Sequence, residues 1–123
     1  MQKIIITTDK SKLDIDLIHN FLSSQARWCL GIPKSVVQTA IENSMCFAAF
    51  INGQQVGFAR MVTDYATFGN VVDVFVLENF RGQGISGQLL TAINDHPDLQ
   101  GLRRVMLQRL TSKRCMRSLG LIH

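Results

Sequence analysis

Proline is scarce: the chain has 123 residues and two prolines, so nearly all of it is free to form helices and strands. Cysteine is scarce too, and the three present, Cys29, Cys46 and Cys115, are odd in number and widely spaced. No C-x-x-C pair occurs, and His19, His96 and His123 fall at no ligand spacing with them. A disulfide framework and a metal site of the zinc type are therefore not expected. No apolar run approaches the ~20 residues needed to span a bilayer. The opening MQKIIITTDKSK has only a brief apolar stretch before polar residues and does not read as a signal peptide, so the cytoplasm is the expected compartment. Charged residues make up only 18% of the chain against 46% apolar ones, which excludes general disorder and allows a real core. The length suits one compact domain.

What is present is a sequence of short, well-punctuated elements. Residues 2–8 are β-branched and strand-like. Leu13, Ile15, Leu17, Ile18, Phe21 and Leu22 contain the i, i+3, i+4 spacing of an amphipathic helix. Gly31-Ile32-Pro33 breaks the chain before a second helix carrying Val36, Val37, Ala40 and Ile41. Residues 45–51 and 55–63 read as two strands joined by Asn52-Gly53-Gln54, a tight hairpin turn. Met45 and Met61 within them read as packing residues. Residues 64–70 read as a loop, and 71–77 as a strand apolar enough to be central. A helix is expected from Gln88 to about Asn94, ended by His96-Pro97-Asp98, and a last strand over 102–107. The order β, α, α, β, β, β, α, β predicts an α+β fold with a mixed, mostly antiparallel sheet flanked by helices.

The chemistry is concentrated between residues 71 and 94: a strand, then Arg81-Gly82-Gln83-Gly84-Ile85-Ser86-Gly87, then a helix. Helix first turns carry N–H groups without intrahelical partners and the positive end of the macrodipole. Glycines let a backbone approach a phosphate closely, and Arg81 adds a forked cationic donor. A pyrophosphate suits such a site. Gly82, Gly84 and Gly87 fit G-x-G-x-x-G, but two helices and a hairpin precede them instead of the start of a βαβ unit, and no acidic residue closes a second strand about 20 residues on. No Gly-Lys-Ser/Thr is present, which excludes a Walker loop.

Val74-Phe75-Val76, a four-residue connector and Arg81-x-x-Gly84-x-Ser86 resemble the acetyl-CoA signature of the GNAT acetyltransferases. The order of elements over residues 1–107 resembles that fold as well. Ser86 stands where Gly or Ala is usual, and its small side chain suits the loop. The resemblance implies a GNAT-like fold and transfer of an acetyl group from acetyl-CoA, as co-substrate, directly to a primary amine. It implies that the backbone of Val74, Phe75 and Val76 pairs with the pantetheine arm. The N–H groups of Gly82, Gln83, Gly84, Ile85, Ser86 and Gly87 would hold the pyrophosphate, with Arg81 at its entrance. Attack needs a neutral amine and hence a base or a water chain. Asp73, just before the pantetheine segment, and Glu78, at the strand end, are the carboxylate candidates. Trp28 and the loop bearing Asp64, Tyr65 and Phe68 lie where this family lines its acceptor pocket. The acceptor is a small-molecule or protein amine, and a homodimer is left open.

Residues 108–123 depart from this pattern. They contain no aromatic residue, whereas residues 1–107 hold seven Phe, one Trp and one Tyr. The resemblance implies here a helix with the Tyr that protonates the leaving thiolate, then closing strands, and the sequence shows neither. Allowed codons for this tail, read one base earlier from the last base of the Leu107 codon, encode A-T-x-D, L-Y and F-G-F in the family's order. The fixed bases of Cys115-Met116 supply most of the Tyr codon. The expectation is a domain over 1–107 followed by an anomalous basic tail produced by a one-base loss, with low activity or none. A non-catalytic acetyl-CoA-binding module is the alternative. The net charge of +4 is no argument for nucleic acid, because Arg109, Lys113, Arg114 and Arg117 all lie in the tail and residues 1–107 are neutral. Neither nucleic acid nor membrane is an expected partner.

Overall fold

Asn52 and Gly53 both adopt positive φ, 53° and 80°, and so form the tight turn that the Asn-Gly pair predicts. They join β2 (Met45–Ile51) to β3 (Gln54–Thr63) as an antiparallel hairpin. Around that hairpin the computed structural model, which describes residues 3–24 and 30–107, builds one five-stranded sheet in the order β1-β2-β3-β4-β5. The other members are β1 (Ile4–Thr7), β4 (Phe68–Val76) and β5 (Arg104–Leu107). All neighbours pair antiparallel except β4 and β5, which are parallel because a helix connects them. The sheet is mixed and mostly antiparallel, as the element order predicts. Among the described residues no helix is long and apolar enough to cross a membrane.

Two layers cover the sheet. On one face α3 (Ile85–Asp95) sets Ile85, Leu89, Leu90 and Ile93 against Val56, Ala59, Val71, Val74 and Val76. Gly57 permits the close approach: a Cβ there would lie 3.2 Å from Ile85 Cγ2 and 3.3 Å from the Phe75 carbonyl oxygen. On the other face α1 (Ile15–Ser24) and α2 (Lys34–Glu42) bury Ile18, Phe21, Leu22, Val37 and Ile41 against Phe58 and Phe75. Phe21 stacks on Phe75 at 4.0 Å between ring centroids, which pins α1 over β4. Asp14 begins α1 by accepting the Leu17 N–H at 3.1 Å, and the buried Gln55 side chain accepts the Asp14 N–H.

Two of the boundaries that differ from the sequence expectation bear on the site. β4 begins at Phe68 instead of 71, because the turn closes within residues 64–67. α3 begins at Ile85 instead of Gln88, because Gly84 takes a left-handed conformation (φ 80°) and serves as the N-cap. The expectations about the tail fall on residues 108–123 and lie outside the described residues.

Candidate functional site

The register of β3 against β4 slips at one point. Arg60 opposes Val72, but Phe58 opposes Phe75, so Asp73 and Val74 together face the single residue Ala59. This is a β-bulge, and its pivot is Asp73, held at φ 56°. Asp is one of the few side chains that tolerates the left-handed region. The bulge turns Val72 and Asp73 toward the α1/α2 layer, while Val74 returns to the α3 side.

Asp73 is only 7% exposed. Arg60 Nε donates to its Oδ2 at 2.9 Å, and Arg60 Nη1 donates to Ser44 Oγ, also at 2.9 Å. Ser44 is itself buried and donates to the Ala40 carbonyl at 2.7 Å. The pair lies in the wall of a cavity of about 170 Å³ between α1, α2 and the sheet. Its other walls are aliphatic or aromatic, from Ile18 and Leu22 of α1 to Val37 and Ala40 of α2 and Phe58 of β3. Sequence reasoning missed Arg60 and Ser44. The signal for Arg60 was there: one charge inside the apolar strand FARMV demands a buried partner.

Beyond the bulge, β4 becomes an open edge. β5 pairs with it only from Phe68↔Arg104 to Val71↔Leu107, so among the described residues no strand flanks Val74, Phe75 and Val76 on that side. The strand then passes through a short 3-10 turn (Glu78–Phe80) into the glycine loop. Gly82 and Gly84 both have φ near +80°, and a Cβ at Gly82, Gly84 or Gly87 would meet nothing within 4 Å. The loop glycines therefore serve backbone conformation and an uncovered surface instead of internal packing. Gly84 makes no side-chain cap, so Ile85 and Gly87 open α3 with N–H groups that have no partner within the helix. The arrangement can hold an anion at a helix start beside an extended segment. Arg81 is partly committed: its Nε donates to the Val76 carbonyl at 3.0 Å, tying the loop back to the strand end. This occupies one of the carbonyls expected to pair with a pantetheine arm, and leaves the two Arg81 amino groups without a partner among the described residues.

The remaining predicted site residues separate. Glu78 is exposed at the start of the 3-10 turn and does not line the cavity. Asp64 organises its own loop: its carboxylate accepts from Thr67 Oγ1 at 2.6 Å and from the N–H groups of Ala66, Thr67 and Phe68 at 2.8–3.1 Å. Those bonds, led by the Thr67 hydroxyl, hold its pKa well below the ordinary carboxylate range. Tyr65, with φ 62°, and Phe68 sit on the surface of that loop and are not cavity residues. Trp28 lies outside the described residues. Cys46 is no nucleophile, since burial pushes its thiol up to about 11.

The comparisons concern the family and the fold. Residues 15–121 match the acetyltransferase (GNAT) family. A Gibberella zeae protein whose name places it among the acetyltransferases is 34% identical over 125 residues, covering 84% of this chain and 70% of its own length. The crystal structure of a protein from Xanthomonas campestris pv. campestris, described as belonging to the GNAT family, superposes with a TM-score of 0.95 at 46% identity, covering 100% of this chain and 87% of its own. A GNAT family acetyltransferase from Elizabethkingia anophelis, solved with acetyl-CoA bound, has the same fold at a TM-score of 0.64 and 17% identity, over 97% of this chain and 72% of its own.

Proposed function

The chain belongs to the GNAT acetyltransferase family, and from that premise we propose that it transfers an acetyl group from acetyl-CoA to a primary amine by direct attack. The observation that carries the donor half is the open edge of β4 running into the left-handed Gly84 at the start of α3. The backbone of Val74 and Phe75 receives the pantetheine arm, and the amides at the start of α3 hold the pyrophosphate. The amino groups of Arg81, without a partner among the described residues, add charge at the entrance. Transfer forms one C–N bond and breaks the thioester C–S bond. The amine gives up a proton and the departing thiolate takes one.

Asp73 is the better placed of the two carboxylates for the amine, because it lines the cavity beside the pantetheine segment and Glu78 does not. Its ion pair with Arg60 fixes the orientation of the carboxylate. A small-molecule or protein amine in the cytoplasm is the matching acceptor. The test is calorimetric titration with acetyl-CoA together with a thiol-release assay across a panel of amines. Saturable binding with amine-dependent release of CoA is expected. Binding without release supports a non-catalytic acetyl-CoA-binding module, and no binding sinks the proposal.

A further inference from the structure

We infer that Arg60 and Ser44 are positioning residues for the donor: they hold the Asp73 bulge, and the bulge decides which main-chain groups of β4 face its open edge. The inference rests on the acetyltransferase reading for what binds that edge, and on the strand register for how the edge is made.

The register shows what the bulge changes. Main-chain groups along a strand point alternately to its two sides. The Asp64 N–H donates to the Phe68 carbonyl at 3.4 Å, so before the bulge Phe68, Asn70 and Val72 address β3. Beyond it the alternation is reversed. The Leu77 N–H donates to the Val56 carbonyl at 2.8 Å, and Phe75, two residues earlier, opposes Phe58. Val74 and Val76 consequently turn their N–H and C=O groups away from β3, and the Val76 carbonyl accepts from Arg81 instead. Without the extra residue the alternation would run on unbroken. Val74 would then address β3, and the Leu77 N–H would lose Val56.

The bulge has to be held. Asp73 sits at φ 56°, a conformation that costs an L-residue free energy and persists only where the surroundings fix it. Arg60 supplies such a fixture from the neighbouring strand. It stands opposite Val72, the residue before the bulge, and its Nε donates to Asp73 Oδ2 at 2.9 Å. Its Nη1 donates to Ser44 Oγ at 2.9 Å, and Ser44 donates to the Ala40 carbonyl of α2 at 2.7 Å. A planar fork bonded at two points restricts the positions open to Asp73, and it ties the bulge to the end of α2.

Calorimetric titration with CoA and amide hydrogen exchange of Leu77 test this on the full chain. Arg60→Gln removes the charged fork, and it is expected to weaken CoA binding and to speed Leu77 exchange, each at least about tenfold. Arg60→Lys, which keeps the charge without the fork, is expected to fall between that variant and the unaltered chain. Ser44→Ala leaves the ion pair in place and is expected to weaken CoA binding about threefold. Asp73→Gly in the Arg60→Gln background separates the explanations. Glycine takes positive φ without an anchor, so the double variant is expected to return to within about threefold of the unaltered chain in both measurements. A general loss of stability is not repaired by placing glycine in a strand, and a direct contact from Arg60 to the donor is not restored by it. CoA binding unchanged in Arg60→Gln, or a double variant as weak as the single one, would overturn the inference. Unchanged binding in Ser44→Ala would overturn the part given to Ser44. Failure of the donor reading looks different: an unaltered chain that binds no CoA, with Leu77 exchange still following the substitutions at Arg60 and Asp73, removes the acetyl-CoA site and supports the hold on the bulge.

Discussion

At the scale of single residues, the same side-chain type does opposite work at two positions. Asp73 and Asp64 were both legible as site candidates, the first within the strand just before the pantetheine segment and the second on the loop that the resemblance places at the acceptor pocket. Only their partners distinguish them. Asp73 faces a cavity at a bulge and is paired with a buried arginine, whereas Asp64 spends its carboxylate on four donors within its own loop. Neither partnership is written in local spacing: the first depends on a register slip, and the second on loop torsions. The Asp64 cage has a pH signature. Its folded pKa lies below the ordinary value of 3.8, so the loop's stabilisation is present above about pH 4 and is lost as pH falls through the lowered folded value. Amide proton shifts of Ala66, Thr67 and Phe68 are therefore expected to stay constant from about pH 7 to 4, and to move only in stronger acid. A transition centred at the ordinary carboxylate value would show that the cage is not formed.

At the scale of elements, the sheet order was accessible because each strand is bounded by turn chemistry, and because a helix between β4 and β5 makes them parallel. The start of α3 was not, since its first residue depends on Gly84 taking positive φ, which glycine permits without requiring. The bulge was hidden for a related reason: nothing in VVDVFV marks which residue leaves the pleat. Two glycines show how element and site separate. Gly57 is under α3, where an added methyl meets Ile85, Leu89 and an unyielding Phe75 carbonyl. Gly57→Ala is expected to lower unfolding stability by about 1–3 kcal/mol in urea titration. Gly87 faces open space within the first turn of α3. Gly87→Ala is expected to raise stability by up to about 1 kcal/mol through helix propensity, while weakening acetyl-CoA binding about tenfold where the loop must stay bare. A Gly87→Ala chain that binds the donor as before would show that the pyrophosphate does not lie against that turn.

At the scale of the whole molecule, the fold and the charge divide at the same place. Residues 1–107 carry all nine acidic residues and nine of the 13 basic ones, so the excess charge belongs to the segment from 108 onward. The family match nevertheless runs to residue 121. The residues from 108 onward are basic and contain no aromatic residue. We propose that a one-base loss near codon 107 is the source of that combination, because a frame shift changes residue types while preserving position along the gene. It also bears on the sheet, whose β5 edge presents the half-exposed Met106 and has no second strand beside it among the described residues. An apolar edge of that kind favours association between copies. The gene's codons after Leu107 are expected to spell L-Y and F-G-F when read one base earlier. A chain carrying that shifted-frame peptide from position 108 is expected to release CoA at least about tenfold faster than the 123-residue chain at equal acetyl-CoA saturation, since a positioned proton donor contributes ~100-fold or more. It is also expected to stay monodisperse in light scattering at concentrations where the original chain associates. Codons that do not encode those residues in the shifted frame, or equal thiol release from the two chains, would remove the frameshift and leave an ordinary divergent tail in its place.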